Sequence, residues 1–439
     1  MAPARRTCHA VFVLLLALIA APALVAQDSA ARPAGLPGKV HWRFALEAGL
    51  GAFGFANSLY LDRRPDPSGD LSDNWFESFV KPGLTATLKA GKGELYGQLS
   101  AVGERTFAAP PPLVGREASS FQVEDLAVGW RTDQLDFTVG RTEYKLGHGF
   151  LVYDGGGEGG TRGGYWSNAR KSWEFAAIAR FTPGPHRLEA FYLDREDVPE
   201  RETGTKLAGL NYELSLGEST TLGAAWIHAQ GDPDLLEARD GMNVYNLRAF
   251  TTPFSSIPGL SFELEFAREV NGDLLASTGW AAQGMYQVTE EGWAPRVSYR
   301  YAYFEGDDPA SERDENFDML FPGFIDWGQW WQGEIAGEYF LSNSNLMSHQ
   351  VKVAVDPSDN LVTGVIGYLF RLDQPPSFGP GVTSRNVATE LDWYADWSLN
   401  DNFTVSLVAA LAHPQDAVQQ LTNRSKSFKY GMVYVSYTY

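Results

Sequence analysis

The last ten residues, Tyr430 to Tyr439 (YGMVYVSYTY), constrain the fold more than any other stretch. Val433, Val435, Tyr437 and Tyr439 share one parity, while Tyr434, Ser436 and Thr438 share the other. A strand that alternates in this way and stops on an aromatic suits the closing strand of an outer-membrane β-barrel. Its apolar side chains meet lipid, its polar ones meet the lumen, and the ring sits at the interface. The competing reading is the last half-buried strand of a soluble sheet.

The N-terminus favours the barrel. Residues 1–26 read as a secretory signal: Arg5 and Arg6 precede an apolar core, Val11–Ala21, too short to span a bilayer as a helix. Small residues follow at Ala21, Ala23 and Ala26. The single cysteine, Cys8, lies ahead of that core, so the remaining chain has no thiol for a disulfide, a nucleophile or a metal. Residues 27–40 then form a short periplasmic segment, and 41–439 form one barrel without a second domain. The 13 Trp, 19 Tyr, 26 Phe and 45 Gly supply girdles, strands and turns. The net charge of −19, about −21 once Arg5 and Arg6 are removed, excludes a general nucleic-acid binder.

Period-2 segments recur along the chain with turn signals between them. They begin near Trp42, Leu84, Glu94, Phe121, Leu135, Trp173, His186, Lys206, Thr221, Met242, Leu260, Thr278, Pro295, Leu346, Leu361, Asn386, Phe403 and Ser427. This predicts an all-β transmembrane antiparallel barrel of 18 strands; treating Trp330–Phe340 as a further strand gives 19. Single-chain bacterial barrels have even counts and short periplasmic turns. Only the 18-strand reading puts the short connections on one side and the long ones, 54–73, 106–118, 145–171, 306–345, 372–385 and 414–426, on the other, extracellular side.

If the apolar parity faces lipid, the opposite parity lines the lumen. This places Arg43, Arg180, Arg187, Glu189, Arg248, Glu263, Glu265, Arg296, Arg300, Lys352, Glu390 and Asp392 inward. A charge facing lipid at mid-depth costs roughly 2–4 kcal/mol, which supports that placement. The expected device is a polar conduit in which Arg180, Arg187, Arg248, Arg296, Arg300 and Lys352 select anions. Inward Glu263, Glu265, Glu390 and Asp392 would keep binding weak enough for release. The bland alternative is that these charges pair and fill space. Arg141 and Arg268 fall on the outward parity, which calls for a strand end or a bulge.

Two segments carry a family resemblance. Val139-Gly140-Arg141-Thr142-Glu143-Tyr144 leads through a loop to Tyr165-Trp166-Ser167-Asn168-Ala169-Arg170. Further on, Tyr301-Ala302-Tyr303-Phe304-Glu305-Gly306-Asp307-Asp308-Pro309 precedes Phe317-Asp318-Met319-Leu320-Phe321 and Trp327-Gly328-Gln329-Trp330. Together they resemble the alginate-export family of outer-membrane barrels. The resemblance implies an 18-strand barrel that passes an acidic polysaccharide outward, fed by a periplasmic scaffold. Arg141, Asn168, Arg170, Asp307, Asp308, Asp318 and Trp327 are its motif positions. Thr142 stands where the family usually has Gln, and the chain ends on Tyr rather than Phe or Trp.

The segment 306–345 mixes acids with Phe321, Phe324, Trp327, Trp330 and Trp331. It reads either as a gate whose rings stack on sugars or as a rim patch. Its acids lack EF-hand spacing, so neither a metal nor another cofactor is expected. The run Gly155–Gly160 lacks the lysine and helix of a phosphate loop and reads as a mobile outer loop. No H-E-x-x-H or G-x-S-x-G motif occurs, so an enzyme is not expected. The expected partners are lipid and an anionic polysaccharide or oligosaccharide, with the chain acting as a monomer. Two rival readings are a general or cation-preferring porin and a secreted β-protein that binds or cleaves polysaccharide.

Overall fold

The computed structural model describes residues 39–57, 74–108, 118–157, 159–198, 202–330 and 332–439, so the expected signal and most of the 27–40 segment lie outside the described residues. The described strands are β1 (Val40–Ala56), β2 (Asn74–Ala90), β3 (Gly93–Phe107), β4 (Ala118–Arg131), β5 (Leu135–Thr142) and β6 (Trp173–Phe181). These continue as β7 (His186–Asp194), β8 (Lys206–Leu216), β9 (Thr220–Gln230), β10 (Asn243–Thr251), β11 (Leu260–Asn271) and β12 (Leu275–Gln287). The last six are β13 (Arg296–Phe304), β14 (Leu346–Ser358), β15 (Leu361–Arg371), β16 (Asn386–Ser398), β17 (Phe403–Pro414) and β18 (Phe428–Thr438).

Each strand pairs antiparallel with its chain neighbours, and β1 pairs with β18 to close the sheet. The seam runs to the last residue: Leu46 and Tyr439 exchange backbone hydrogen bonds of 3.1 and 2.9 Å. Closure satisfies both edge strands, as a bilayer requires. Trp42, Phe44, Leu264, Tyr299, Val351, Leu391, Trp397 and Val433 are all exposed on the outer surface, in keeping with the period-2 reading.

Three local features depart from simple alternation. Register shifts between Gly140 and Thr142, where Gly140 has φ of 128°, and this turns Arg141 from its expected outward parity to the interior. Arg268 stays outward at the end of β11, donating to the Thr278 hydroxyl at 2.8 Å. Trp330–Phe340 contains no strand among its described residues. Gly333–Gly337 is a π-helical turn there, because its N–H groups find side-chain carboxylates instead of a neighbouring strand.

Two long connections, 143–172 and 305–345, fold into the lumen. Tyr144, Leu146, Phe150, Leu151, Phe317, Phe321, Trp330, Ile335 and Tyr339 from these connections are buried against inward Phe53, Phe55, Trp75, Phe304, Phe370 and Phe428. The connections also pair with each other, Val152 bridging Phe321 and the Trp330 indole donating to the His148 carbonyl at 2.6 Å. At roughly 1.5–3 kcal/mol for each buried large apolar side chain, this is an anchored plug and not a solvated flap.

Candidate functional site

The inward carboxylates hold the plug. Glu77 on β2 accepts from the backbone N–H groups of Trp166 (3.0 Å) and Ser167 (2.8 Å). Glu104 on β3 accepts from Ala169 N–H at 2.8 Å, and Glu124 on β4 from Lys171 and Ser172 at 2.6 and 2.8 Å. Across the lumen, Glu269 accepts from Asp318 N–H at 2.9 Å. Glu390 takes Ile335 and Ala336 at 2.8 Å each, and Asp392 takes Glu334 at 3.1 Å. Gly333, with φ of 90°, lets the turn approach: a Cβ there would lie 2.7 Å from a Glu390 oxygen. Glu390 and Asp392 are thus anchors, where the sequence suggested free lining groups.

The cations expected to select solutes already have partners. Arg180 and Arg187 both reach Glu189 at 2.8 Å, and Arg248 reaches Glu213 at 3.2 Å. Glu265 accepts from the Asn246 amide at 3.0 Å. Arg296 makes a two-pronged pair with Asp356, both contacts 2.6 Å. Arg300 is buried and donates to the Gly328 carbonyl, while Lys352 holds Asp326 at 2.7 Å. Arg296, Arg300, Lys352, Glu263, Asp326 and Asp396 line one cavity of about 390 Å³, so its charges balance.

The family-motif positions tie connections together. Arg141, Arg162 and Arg170 converge on Glu196 in the β7–β8 connection, the Arg162 contact being 2.6 Å. Asn168 donates to Asp154 at 2.9 Å. Asp318 takes both guanidinium prongs of Arg239 at 2.6 and 2.7 Å. Asp307 and Asp308 accept from backbone N–H groups within their own connection. The Trp327 indole donates to Asp396 at 2.6 Å and stacks on Tyr394. The glycine run also packs. Gly155, Gly156 and Gly157 are buried, with Gly156 bridging Glu196, so this part of the run is not the expected mobile loop. Glu196→Gln should leave three guanidiniums facing a neutral amide. A loss of roughly 3–5 kcal/mol is expected, read as a lower temperature for loss of heat-modifiable gel mobility.

A different wall carries uncompensated charge. A cavity of about 500 Å³ is lined by His41, Arg43, Thr87, Gln98, Glu143 and Arg180. Arg43 is exposed and has no ion-pair partner among the described residues. A second cavity, about 520 Å³, lies between the two folded-in connections, with Asp154, Trp166, Lys171, Phe324 and Glu338 in its lining. Tyr153 is flanked by two ammonium groups, Lys145 at 5.5 Å and Lys171 at 5.8 Å from the ring centroid. Lys171 pairs with Asp154 at 3.4 Å; Lys145 is exposed and meets no carboxylate among the described residues. Parity could not find Lys145, Tyr153 and Lys171, because they lie on a connection and not on a strand.

Glu338 borders the upper cavity, and burial pushes its carboxyl up to about 8, with Glu77 adding to the shift and Lys171 opposing it. An acid raised on docking favours the docked form most below its ordinary range, and that advantage is lost as pH rises through about 8. Proteolysis of the 305–345 connection is therefore expected to quicken as pH rises from about 5 to about 8 and to level off above that, and Glu338→Gln should flatten the rise.

No family model and no curated protein matches this sequence. Solved structures do match its fold. Pseudomonas aeruginosa OccK5 (OpdH) aligns with a TM-score of 0.58 at 12% identity, covering 90% of this chain and 97% of that one. P. aeruginosa OpdK with vanillate gives 0.58 at 12%, covering 90% and 98%. Acinetobacter baumannii OccAB4 gives 0.57 at 12%, covering 91% and 98%. The chain has the closed 18-strand antiparallel fold of outer-membrane β-barrels. The likeness is one of fold.

Proposed function

We propose that this barrel passively passes small hydrophilic solutes bearing a carboxylate, acidic sugars among them. Solutes would move past Lys145, Tyr153 and Lys171 from the upper cavity toward Arg43. The observation that carries this reading is the pair of lysines on Tyr153, one without a carboxylate partner, while Arg180, Arg187, Arg248, Arg296 and Lys352 are each held by an acid. The mechanism is weak attraction at successive sites, which lets an anion enter and leave. OpdK, which shares the fold, was solved with vanillate, a small aromatic carboxylate. No catalytic role is assigned.

The second reading is export of an acidic polysaccharide, as the family resemblance suggests. Trp166 and Phe324 in the upper cavity offer faces for sugar stacking. Against it stands the plug, which a polymer would have to displace from its carboxylate anchors; only this reading calls for a periplasmic scaffold. Planar-bilayer recording under a salt gradient separates the readings. Anion selectivity with block by monomeric uronate supports the small-solute channel. Block by oligouronates alone favours the polymer, and cation selectivity without block leaves a general porin.

A further inference from the structure

The rim at the extracellular ends of β15–β18 carries four cations and a histidine that form no ion pair among the described residues. Arg371 closes β15, Arg385 immediately precedes β16, His413 lies near the end of β17, and Lys426 and Lys429 flank the start of β18; all five are exposed. Arg371 donates to the Asn386 side chain at 3.2 Å, and His413 faces the Ser427 hydroxyl at 3.2 Å. None of the five has an ion-pair partner among the described residues. The opposite flank differs: Lys206 pairs with Asp194 at 3.5 Å, and Arg268 lies 4.0 Å from Glu305. In a chain of net charge −19, a run of unpaired cations along one flank calls for an external anion.

Depth identifies where that anion sits. Leu361 to Arg371 and Phe403 to His413 each span ten residues of one parity, as the registers of β15 and β17 show. At ~3.3 Å per residue and a tilt of roughly 40°, such a span climbs about 25 Å, the height of the apolar band. The cations therefore meet the outer headgroup layer, next to lipid-facing Leu369, Leu411 and Val433.

We infer that Arg371, Arg385, His413, Lys426 and Lys429 form a binding site for the phosphate groups of an outer-leaflet glycolipid. The Arg371 and Arg385 guanidiniums suit phosphate oxygens, the lysines add point charges, and the apolar wall below receives acyl chains. Each basic residue at an anionic surface contributes about 1 kcal/mol, a factor of about five.

Native mass spectrometry tests this on the refolded barrel, released from micelles containing a diphosphorylated glucosamine-based lipid and phosphatidylcholine in equal amounts. The wild type should retain the phosphoglycolipid preferentially. Arg371→Gln with Lys429→Gln should weaken retention roughly 30-fold, whereas Arg268→Gln on the paired flank should not. Lys426→Gln with Lys429→Gln serves if the first pair fails to refold. Equal retention by wild type and variant, equal loss in Arg268→Gln, or displacement by inorganic phosphate with no lipid preference would each overturn the assignment.

Discussion

Glu390→Ala combined with Asp392→Ala should raise single-channel conductance several-fold while leaving the barrel folded and heat-modifiable. The two carboxylates accept the N–H groups of Glu334, Ile335 and Ala336, and they do so from one face of β16. Leaving a buried donor unsatisfied costs roughly 1–3 kcal/mol, and alanine does so to all three N–H groups. The turn should then leave the wall. The Trp327–Asp396 and Arg300–Gly328 contacts persist, so the channel is expected to flicker between two levels and not open permanently. Glu390→Gln with Asp392→Asn keeps acceptors for two of the three N–H groups and should raise conductance less than the alanine pair. Unchanged conductance in the alanine pair would mean that buried rings alone hold the plug. The barrel wall should survive either way, because its own backbone bonds do not involve these side chains.

Much of the wall was legible in the sequence because a transmembrane strand has one variable to read. Parity alone decides whether a side chain meets lipid or lumen, and the cost of misplacing a charge enforces it. Leu264 outward and Glu265 inward, Val351 outward and Gln350 inward, follow from that rule and from nothing else. Parity does not say what an inward side chain touches. Arg300 reads from the strand as a cation facing water, yet it donates to the carbonyl of Gly328, which arrives from a connection 28 residues downstream. Glu77, Glu104 and Glu124 lie on three successive strands, and Phe76 outward already puts Glu77 inward. Their common task appears only once 143–172 is seen entering the lumen.

The motif positions fall between these cases. Arg141, Arg170 and Asp318 belong to recognisable patterns, and each ends in an ion pair that ties down a connection, to β5 for Arg141 and to another connection for Arg170 and Asp318. Such patterns specify how a plug is tied, and barrels that carry different solutes can share them. That is why the motifs bear on architecture more firmly than on cargo. The candidate corridor was the least legible part. Lys145, Tyr153 and Lys171 sit in a stretch without periodicity, where only the folded path of the chain brings the two ammonium groups to one ring.

Lys145→Glu with Lys171→Gln should therefore shift the reversal potential from anion-selective toward cation-selective. The substitutions change the charge beside Tyr153 by three units, from two cations to one anion. A permeating ion about 6 Å from each site, at an effective dielectric of about 40, feels roughly 1.4 kcal/mol per unit charge, before salt screening. Three units amount to roughly 4 kcal/mol, which even after substantial screening exceeds the 1.4 kcal/mol of a tenfold change in permeability ratio. The effect should shrink between 0.1 and 1 M salt as the screening length falls from about 10 to 3 Å. Arg296→Gln with Asp356→Asn, by contrast, removes a matched pair (2.6 Å apart) without changing the net charge and should move the reversal potential little. A reversal potential that responds to the Arg296–Asp356 pair and ignores the lysines would place selection in the cavity beside β13 and β14 and remove the corridor along β1–β6 as the anion path.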